Sequence, residues 1–188
     1  MRSDAHVDLS DLMQAAAGGE QSAWNEIVER FSGLVWSVAR AHRLSQAEAA
    51  DVSQTVWLRL VENLDRITDP DRLGSWLATV ARRECLRSIR LGGRELSVDD
   101  DSVFEAPAGE TAESALIVRE RDDALRRAFT RISERCQALL RMLAASEPPS
   151  YEEVSAALGM PIGAIGPTRA RCLEKLRRTP ELAALGYG

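Results

Sequence analysis

The sequence predicts an all-α chain of two small helical domains joined by a flexible acidic linker, and three observations carry that reading. Apolar residues recur every three or four positions, the helical period, and nowhere alternate at period two over a useful length. Ser45 with Glu48 and Ser150 with Glu153 each open an apolar stripe as a reciprocal capping pair, which satisfies two free amides at a helix start. Between the periodic halves, residues 95 to 114 hold seven acidic residues and no basic one, in a run of Gly, Pro, Ser and Ala that cannot build a core. The expected boundaries are residues 8–93 for the first domain, 94–113 for the linker and 114–180 for the second domain.

The first domain opens with a short helix from Asp8 to Ala17, ended by Gly18 and Gly19. A longer helix follows from about Ser22 to His42, with Trp24, Ile27, Val28, Phe31, Leu34, Val35 and Val38 as its core stripe. The next starts at Ser45. Ala49, Val52, Val56 and Leu60 form its buried stripe, which turns Asp51, Gln54, Leu58 and Glu62 outward. Asn63 to Gly74 reads as a loop, because Asp65, Asp69, Pro70, Asp71 and Gly74 break the pattern. The fourth helix spans roughly Ser75 to Leu91 and stops at Gly92 and Gly93, where a left-handed cap carries little penalty. At 100° per residue Leu77, Ala81, Cys85 and Ile89 share one side, and Arg83, Arg87 and Arg90 the other, with Trp76 projecting to the arginine side. An arginine row ending in an aromatic ring suits nucleic acid: guanidinium forks bind phosphates and guanine edges, and a flat ring stacks on an unpaired base.

The second domain begins near Ser114, with Leu125, Phe129 and Ile132 on one face, and restarts at Ser133 as a helix from Glu134 to Ala144. Pro148 and Pro149 force a turn. Ser150 then caps a short helix that buries Tyr151, Val154 and Leu158 and ends at Gly159. A further helix runs to about Arg178 and carries Arg169, Arg171, Lys175, Arg177 and Arg178 against one acid, Glu174. A short helix, a glycine turn and a basic second helix make the helix-turn-helix pattern, whose second helix enters the major groove. Pro167 has no backbone amide to donate and fits within a first turn, so the secure start of that helix is expected between residues 163 and 167.

Charge and cysteine usage narrow the class. The chain has 188 residues and a formal net charge of -5, but removing the acidic stretch leaves the remainder at +2, with every basic side chain an arginine except Lys175. No apolar run is long enough to span a bilayer and the N-terminus lacks a signal-peptide core, so a cytoplasmic protein is expected. Cys85, Cys136 and Cys172 are far apart, odd in number and set among apolar residues, and buried reduced thiols are the expectation. His6 and His42 show no ligand spacing, so no metal site and no cofactor are predicted. No Ser/His/Asp grouping, phosphate-cradling glycine loop or framed carboxylate pair argues for an enzyme.

Taken together, the two halves resemble the extracytoplasmic-function (group 4) sigma factors of the sigma-70 family, over about residues 8 to 178. Asp51-Val-Ser-Gln-Thr-Val-Trp57 is similar to the helix by which that family binds the polymerase clamp. Ser75-Trp-Leu-Ala-Thr-Val-Ala-Arg82 is similar to its promoter-melting stretch, and Ser150-Tyr-Glu-Glu-Val154 with Leu158-Gly-Met-Pro161 to its helix-turn-helix. The resemblance implies sigma domain two at 8–93 and sigma domain four at 114–180, a non-enzymatic factor that positions core RNA polymerase, melts promoter DNA and starts transcription. Asp51, Gln54 and Leu58 would meet the clamp of the largest subunit, and the flap of the second-largest subunit is a further expected partner. Asn63, Asp65, Arg66, Trp76, Arg83, Arg87 and Arg90 would face the melted minus-10 element, the loop among them holding a flipped base. Thr168, Arg169, Arg171 and Lys175 would face the double-stranded minus-35 element, although Arg169 falls where the family commonly has an apolar residue. An anti-sigma factor is a further candidate partner, and no membrane is implied. The acidic linker is expected to thread through polymerase channels that hold RNA, which suits its charge. The rival reading is a stand-alone helix-turn-helix regulator, which would use residues 150 to 178 and leave the clamp-like face without a purpose.

Overall fold

The computed structural model describes residues 8–92 and 112–186, with the backbone alone at 112–118, and among these residues every regular element is helical. The first half comprises α1 (Leu9–Ala17), α2 (Gln21–Ala41), α3 (Gln46–Asn63) and α4 (Leu73–Leu91), with two short 3₁₀ turns, Leu64–Arg66 and Pro70–Arg72, between α3 and α4. The second comprises α5 (Ala112–Arg131), α6 (Glu134–Leu143), α7 (Tyr151–Leu158), α8 (Ile162–Arg177) and α9 (Pro180–Ala183).

Local chemistry sets most of the boundaries. Asp8 caps α1, its carboxylate accepting from the Ser10 amide. The two predicted capping boxes both form: Ser45 with Glu48 at α3, and Ser150 with Glu153 at α7. Ser133 caps α6 by accepting from the Cys136 amide. Gly159 ends α7 at φ +62°, a left-handed position that glycine takes without steric cost.

Four expectations are corrected. Gly74 is no loop residue: α4 begins at Leu73, and Gly74 lies buried in its first turn because the neighbouring packing needs a residue without a side chain. Gly92 closes α4 at φ -76° in the right-handed region, its amide continuing the helix to the Ser88 carbonyl. Helix α8 starts at Ile162 and runs through Pro167, so the proline sits in the interior and removes one amide from the ladder. Cys136 and Cys172 are not separate thiols. Helices α6 and α8 cross so that the two Cα atoms lie 5.4 Å apart and the sulfurs form a disulfide, closing a span of 36 residues. Cys85 alone remains a free buried thiol, and burial pushes its pKa up to about 12. Helix α9 was not foreseen; Pro180 opens it and Leu182 buries beneath it.

The main core crosses from one half of the chain to the other. Ile27, Val35, Val38, Val56, Leu60, Leu73 and Leu77 are fully buried, and Leu139, Met142, Val154, Ala157 and Ile165 continue the same cluster. Helix α4 packs on α2 and α3 and, more extensively, on α7, while α6 packs on α2. A smaller cluster of Ile132, Leu140 and the disulfide, flanked by Phe129, Leu173 and Leu176, belongs to the second half alone. The expected linker at 94–113 lies outside the described residues except for its last two, which begin α5.

Candidate nucleic-acid interface

Helix α4 presents the arginine row as its pattern predicts. Arg83, Arg87 and Arg90 are exposed on the side opposite the buried Leu77, Ala81 and Cys85. The exposed Arg87 lies 3.7 Å from the carboxylate of Glu84, whose own side chain is mostly covered at 17% exposure. The Arg90 Nε donates to the Leu86 carbonyl oxygen at 3.0 Å, which lays that guanidinium along the helix. Trp76 does not stand free at the end of the row. It is half-buried and packed against the main core, as are Trp24, Trp36 and Trp57, so its face is available for stacking only in part.

On α3, Asp51, Gln54 and Leu58 all lie on the exposed face, separate from the buried Val52, Val56 and Leu60. Val61 extends that face and was not anticipated. Leu58 is 58% exposed and Val61 62%, two large apolar side chains beside an acid and an amide. The two lie three positions apart on the helix and so form one small apolar patch on an otherwise polar face. The signal was present in the sequence, since 58 and 61 are three apart and both lie off the Val52/Val56 stripe.

The two faces meet in an open groove of about 430 Å³ between α3 and α4, with Asp51, Thr55, Glu84, Arg87 and Leu91 among its walls. One candidate polymerase residue and one candidate DNA residue therefore share a wall-to-wall site. The connection between the helices holds Asn63, Asp65 and Arg66. Leu64 is buried and anchors it, and Asp65 and Arg66 are exposed on the 3₁₀ turn. The Asn63 side-chain amide donates to the Arg59 carbonyl oxygen at 2.8 Å, closing the end of α3.

Helix α8 divides its candidates. Thr168, Arg171 and Lys175 fall on one face, and the Arg171 Nη2 donates to the Thr168 hydroxyl at 3.2 Å. Arg169 is turned to another side, where it lines a groove of about 340 Å³ with Leu125, Phe129, Leu140 and Leu173. A second apolar groove, of about 320 Å³, adjoins it through Leu125, Leu173 and Leu176 and reaches Leu182 and Leu185 on the α9 side. Neither groove was legible in advance, because α9 was not expected and the α5/α8 crossing is a tertiary fact.

Residues 27–95, which cover most of α2 and all of α3 and α4, match the family model described as Sigma-70 region 2. Among solved structures the chain is similar to CnrH, determined in complex with the cytosolic domain of CnrY, at 20% identity. That similarity covers 90% of this chain and 95% of that one with a TM-score of 0.58, and it establishes a shared fold. No curated protein matches the chain.

Proposed function

We propose that this chain is a sigma factor of the extracytoplasmic-function group, which binds core RNA polymerase and directs promoter recognition, melting and initiation. The observation that carries the reading is the coincidence of the Sigma-70 region 2 match with α2 to α4, whose exposed surface sets an acid, amide and leucine face directly beside an arginine row. In this reading Asp51, Gln54 and Leu58, extended by Val61, bind the clamp of the largest subunit. Arg83, Arg87 and Arg90 hold the phosphates of the minus-10 element, and Asn63, Asp65, Arg66 and the exposed part of Trp76 form the site for an unpaired base.

Thr168, Arg171 and Lys175 face the minus-35 element from α8, and Arg169 borders the apolar grooves rather than joining that face. Those grooves offer a leucine-lined surface suited to the polymerase flap. The complex in which CnrH was determined motivates a protein partner of the anti-sigma kind for this chain as well. The work is done by binding energy, and no side chain is asked to make or break a bond. Residues 8–93 and 114–180 act as sigma domains two and four, in a protein of the cytoplasm. No helix among the described residues is long and apolar enough to cross a membrane.

Transcription in vitro from a library of genomic fragments, with core polymerase and the purified chain, tests the proposal. New transcripts that start only when the chain is added are expected, together with stoichiometric co-purification with core enzyme. A chain that binds duplex DNA but never core polymerase is instead a stand-alone helix-turn-helix regulator.

A further inference from the structure

Helix α8 carries its poorest helix formers on its most exposed line. Ile165 and Cys172 mark its buried side. At 100° per residue, Gly163, Pro167, Ala170 and Glu174 all fall within about 30° of the opposite direction, and all four are exposed. Arg171 stands about 70° to one side of that line and Arg177 about 50° to the other. Thr168 and Lys175 lie further round the Arg171 flank, where the Arg171 Nη2 donates to the Thr168 hydroxyl. The basic side chains border the line, and its centre is small and apolar. Glycine and proline weaken a helix interior more than any other residue, yet the fold does not ask for them here. Neither Gly163 nor Gly166 has a positive φ, and a Cβ built on either would meet nothing within 4 Å among the described residues. Gly74 and Gly159 differ, since each has a side chain of another helix pressed against it. Pro167 also removes the amide that would donate to the Gly163 carbonyl oxygen.

We propose that α8 reads an A·T pair of the minus-35 element through this line: the Pro167 ring and the Ala170 methyl pack on the thymine C5-methyl group, and the glycines let the backbone come close to the base edges. The inference rests on the sigma reading above, in which α8 enters the major groove. The N-terminal residues of a recognition helix are those that meet base edges there, and glycine is the residue that permits close backbone approach to a ligand. Apolar side chains recognise thymine by its methyl group, and the paired adenine presents its N6 amino group beside it. That amino group is a donor of the kind that Pro167 takes away from the Gly163 carbonyl oxygen. Arg171 and Arg177, on the two flanks, reach phosphates, which position the helix but carry no sequence information.

Replacing thymine by deoxyuracil withdraws the methyl group alone and tests this directly. In a promoter recovered by transcription from genomic fragments, each minus-35 thymine on either strand is replaced in turn, and the affinity of polymerase carrying the full chain is measured. At least one replacement should weaken binding about fourfold, the worth of one methyl group taken from an apolar contact. Pro167→Ser, which removes the ring and restores the amide, should bind the thymine and deoxyuracil duplexes alike at that position. Arg171→Ala should weaken both by the same factor. Gly163→Leu should lose about tenfold in affinity through overpacking against the bases, while the chain stays as helical as wild type because leucine favours helix over glycine. A minus-35 region without thymine, an affinity indifferent to every deoxyuracil, or a discrimination that Pro167→Ser retains overturns the proposal. So does a helical Gly163→Leu chain of unchanged affinity. Should the chain never join core polymerase, the sigma reading fails, and the same scan on duplexes that the chain alone selects from a random pool decides the readout; a chain that selects none overturns it.

Discussion

The two packed sides of α4 are built from different chemistry. On one side it carries Leu73 and Leu77, both fully buried in the main apolar cluster that α2 and α3 share. Turned roughly 120° about the helix axis, towards α7, it offers Gly74, Ala78 and Arg82. The first side gains by leaving water and has nothing to recover if it is exposed again. The second brings together groups that water can solvate, the Glu153 carboxylate over Gly74 and the Arg82 guanidinium against Gly159, around a smaller apolar centre of Val154 and Ala157. One helix is therefore held by apolar burial on one side and largely by polar contacts on the other. Which of the two a given side becomes is decided by what the partner helix places against it.

The largest expected effect lies on the apolar side. Leu77→Ala should lower stability by about 2 to 5 kcal/mol, the range for emptying a well-packed leucine site, measured by urea unfolding of the full chain. It should do so without expanding the native chain. If it instead raised the radius of gyration of the folded protein, the distinction between the two sides would collapse. Next comes the staple of the second half. Reducing the Cys136 and Cys172 disulfide should cost about 4 kcal/mol on chain-entropy grounds for a 36-residue span, and should be seen in the unfolding of α6 and α8 but not of α1 to α4. A uniform loss across both halves, read by hydrogen exchange, would mean that the halves unfold as one unit. A disulfide is uncommon in a reducing cytoplasm, so this staple depends on its surroundings in a way the Leu77 side does not.

Much of the fold was legible because local chemistry marks helix starts. Ser45 and Ser150 each form the reciprocal cap their spacing announces, and the arginine side of α4 follows from a period of 3.6. What failed depended on contacts between distant residues. Gly74 looked like a helix breaker because glycine usually is one, and only Glu153, 79 positions later, explains why it sits inside α4. Cys136 and Cys172 looked like lone thiols until the α6/α8 crossing paired them. Trp76 projected to the arginine side on a helical wheel, yet a ring that large reaches sideways to the core from a position the wheel calls exposed. Of the α8 candidates, Arg169 parted from Thr168 and Arg171 because the helical period turns it towards the groove beside α5 and α6. The continuity of one core through both halves could not be read from a composition break at 94–113.

A smaller effect on the polar side comes from one proton. Burial lowers the His42 pKa from 6.5; the hydrogen bond to the Ala157 carbonyl opposes this, and the nearby Arg82 charge adds to it. A lowered folded pKa means that the unfolded or opened state binds the proton more tightly. Stability of the α4/α7 packing is therefore complete above about pH 6.5 and is lost as pH falls below that value towards the folded pKa. Acidification from about pH 7.5 to 5.5 should expand the wild-type chain in small-angle scattering, and His42→Gln should remove most of that pH dependence. A wild type whose radius is flat over the window would leave His42 a packing residue only.

The smallest effect is the ion pair at the edge of the same packing, and it needs the most careful design. The Arg43 Nη1 lies 3.1 Å from the Glu134 Oε1, joining the α2/α3 turn to the start of α6, with the glutamate side chain 67% exposed. Such a pair contributes about 0.2 to 1 kcal/mol, so single substitutions would be swamped by other changes. Arg43 holds a left-handed backbone at φ +58°, and replacing it by glycine would relieve that conformation and mask the lost attraction. Alanine keeps the backbone cost in both states. Glu134 is also the first residue of α6, where a negative charge favours the helix terminus by about 0.3 to 1 kcal/mol apart from any contact with Arg43. That contribution appears in both arms of a double-mutant cycle and cancels. The coupling between Arg43→Ala and Glu134→Ala, measured from unfolding at low salt, should be positive, below about 1 kcal/mol, and diminished by added salt. A coupling of zero at low salt would place the edge of the α4/α7 packing elsewhere and leave Glu153, Arg82 and His42 as the polar groups that anchor it.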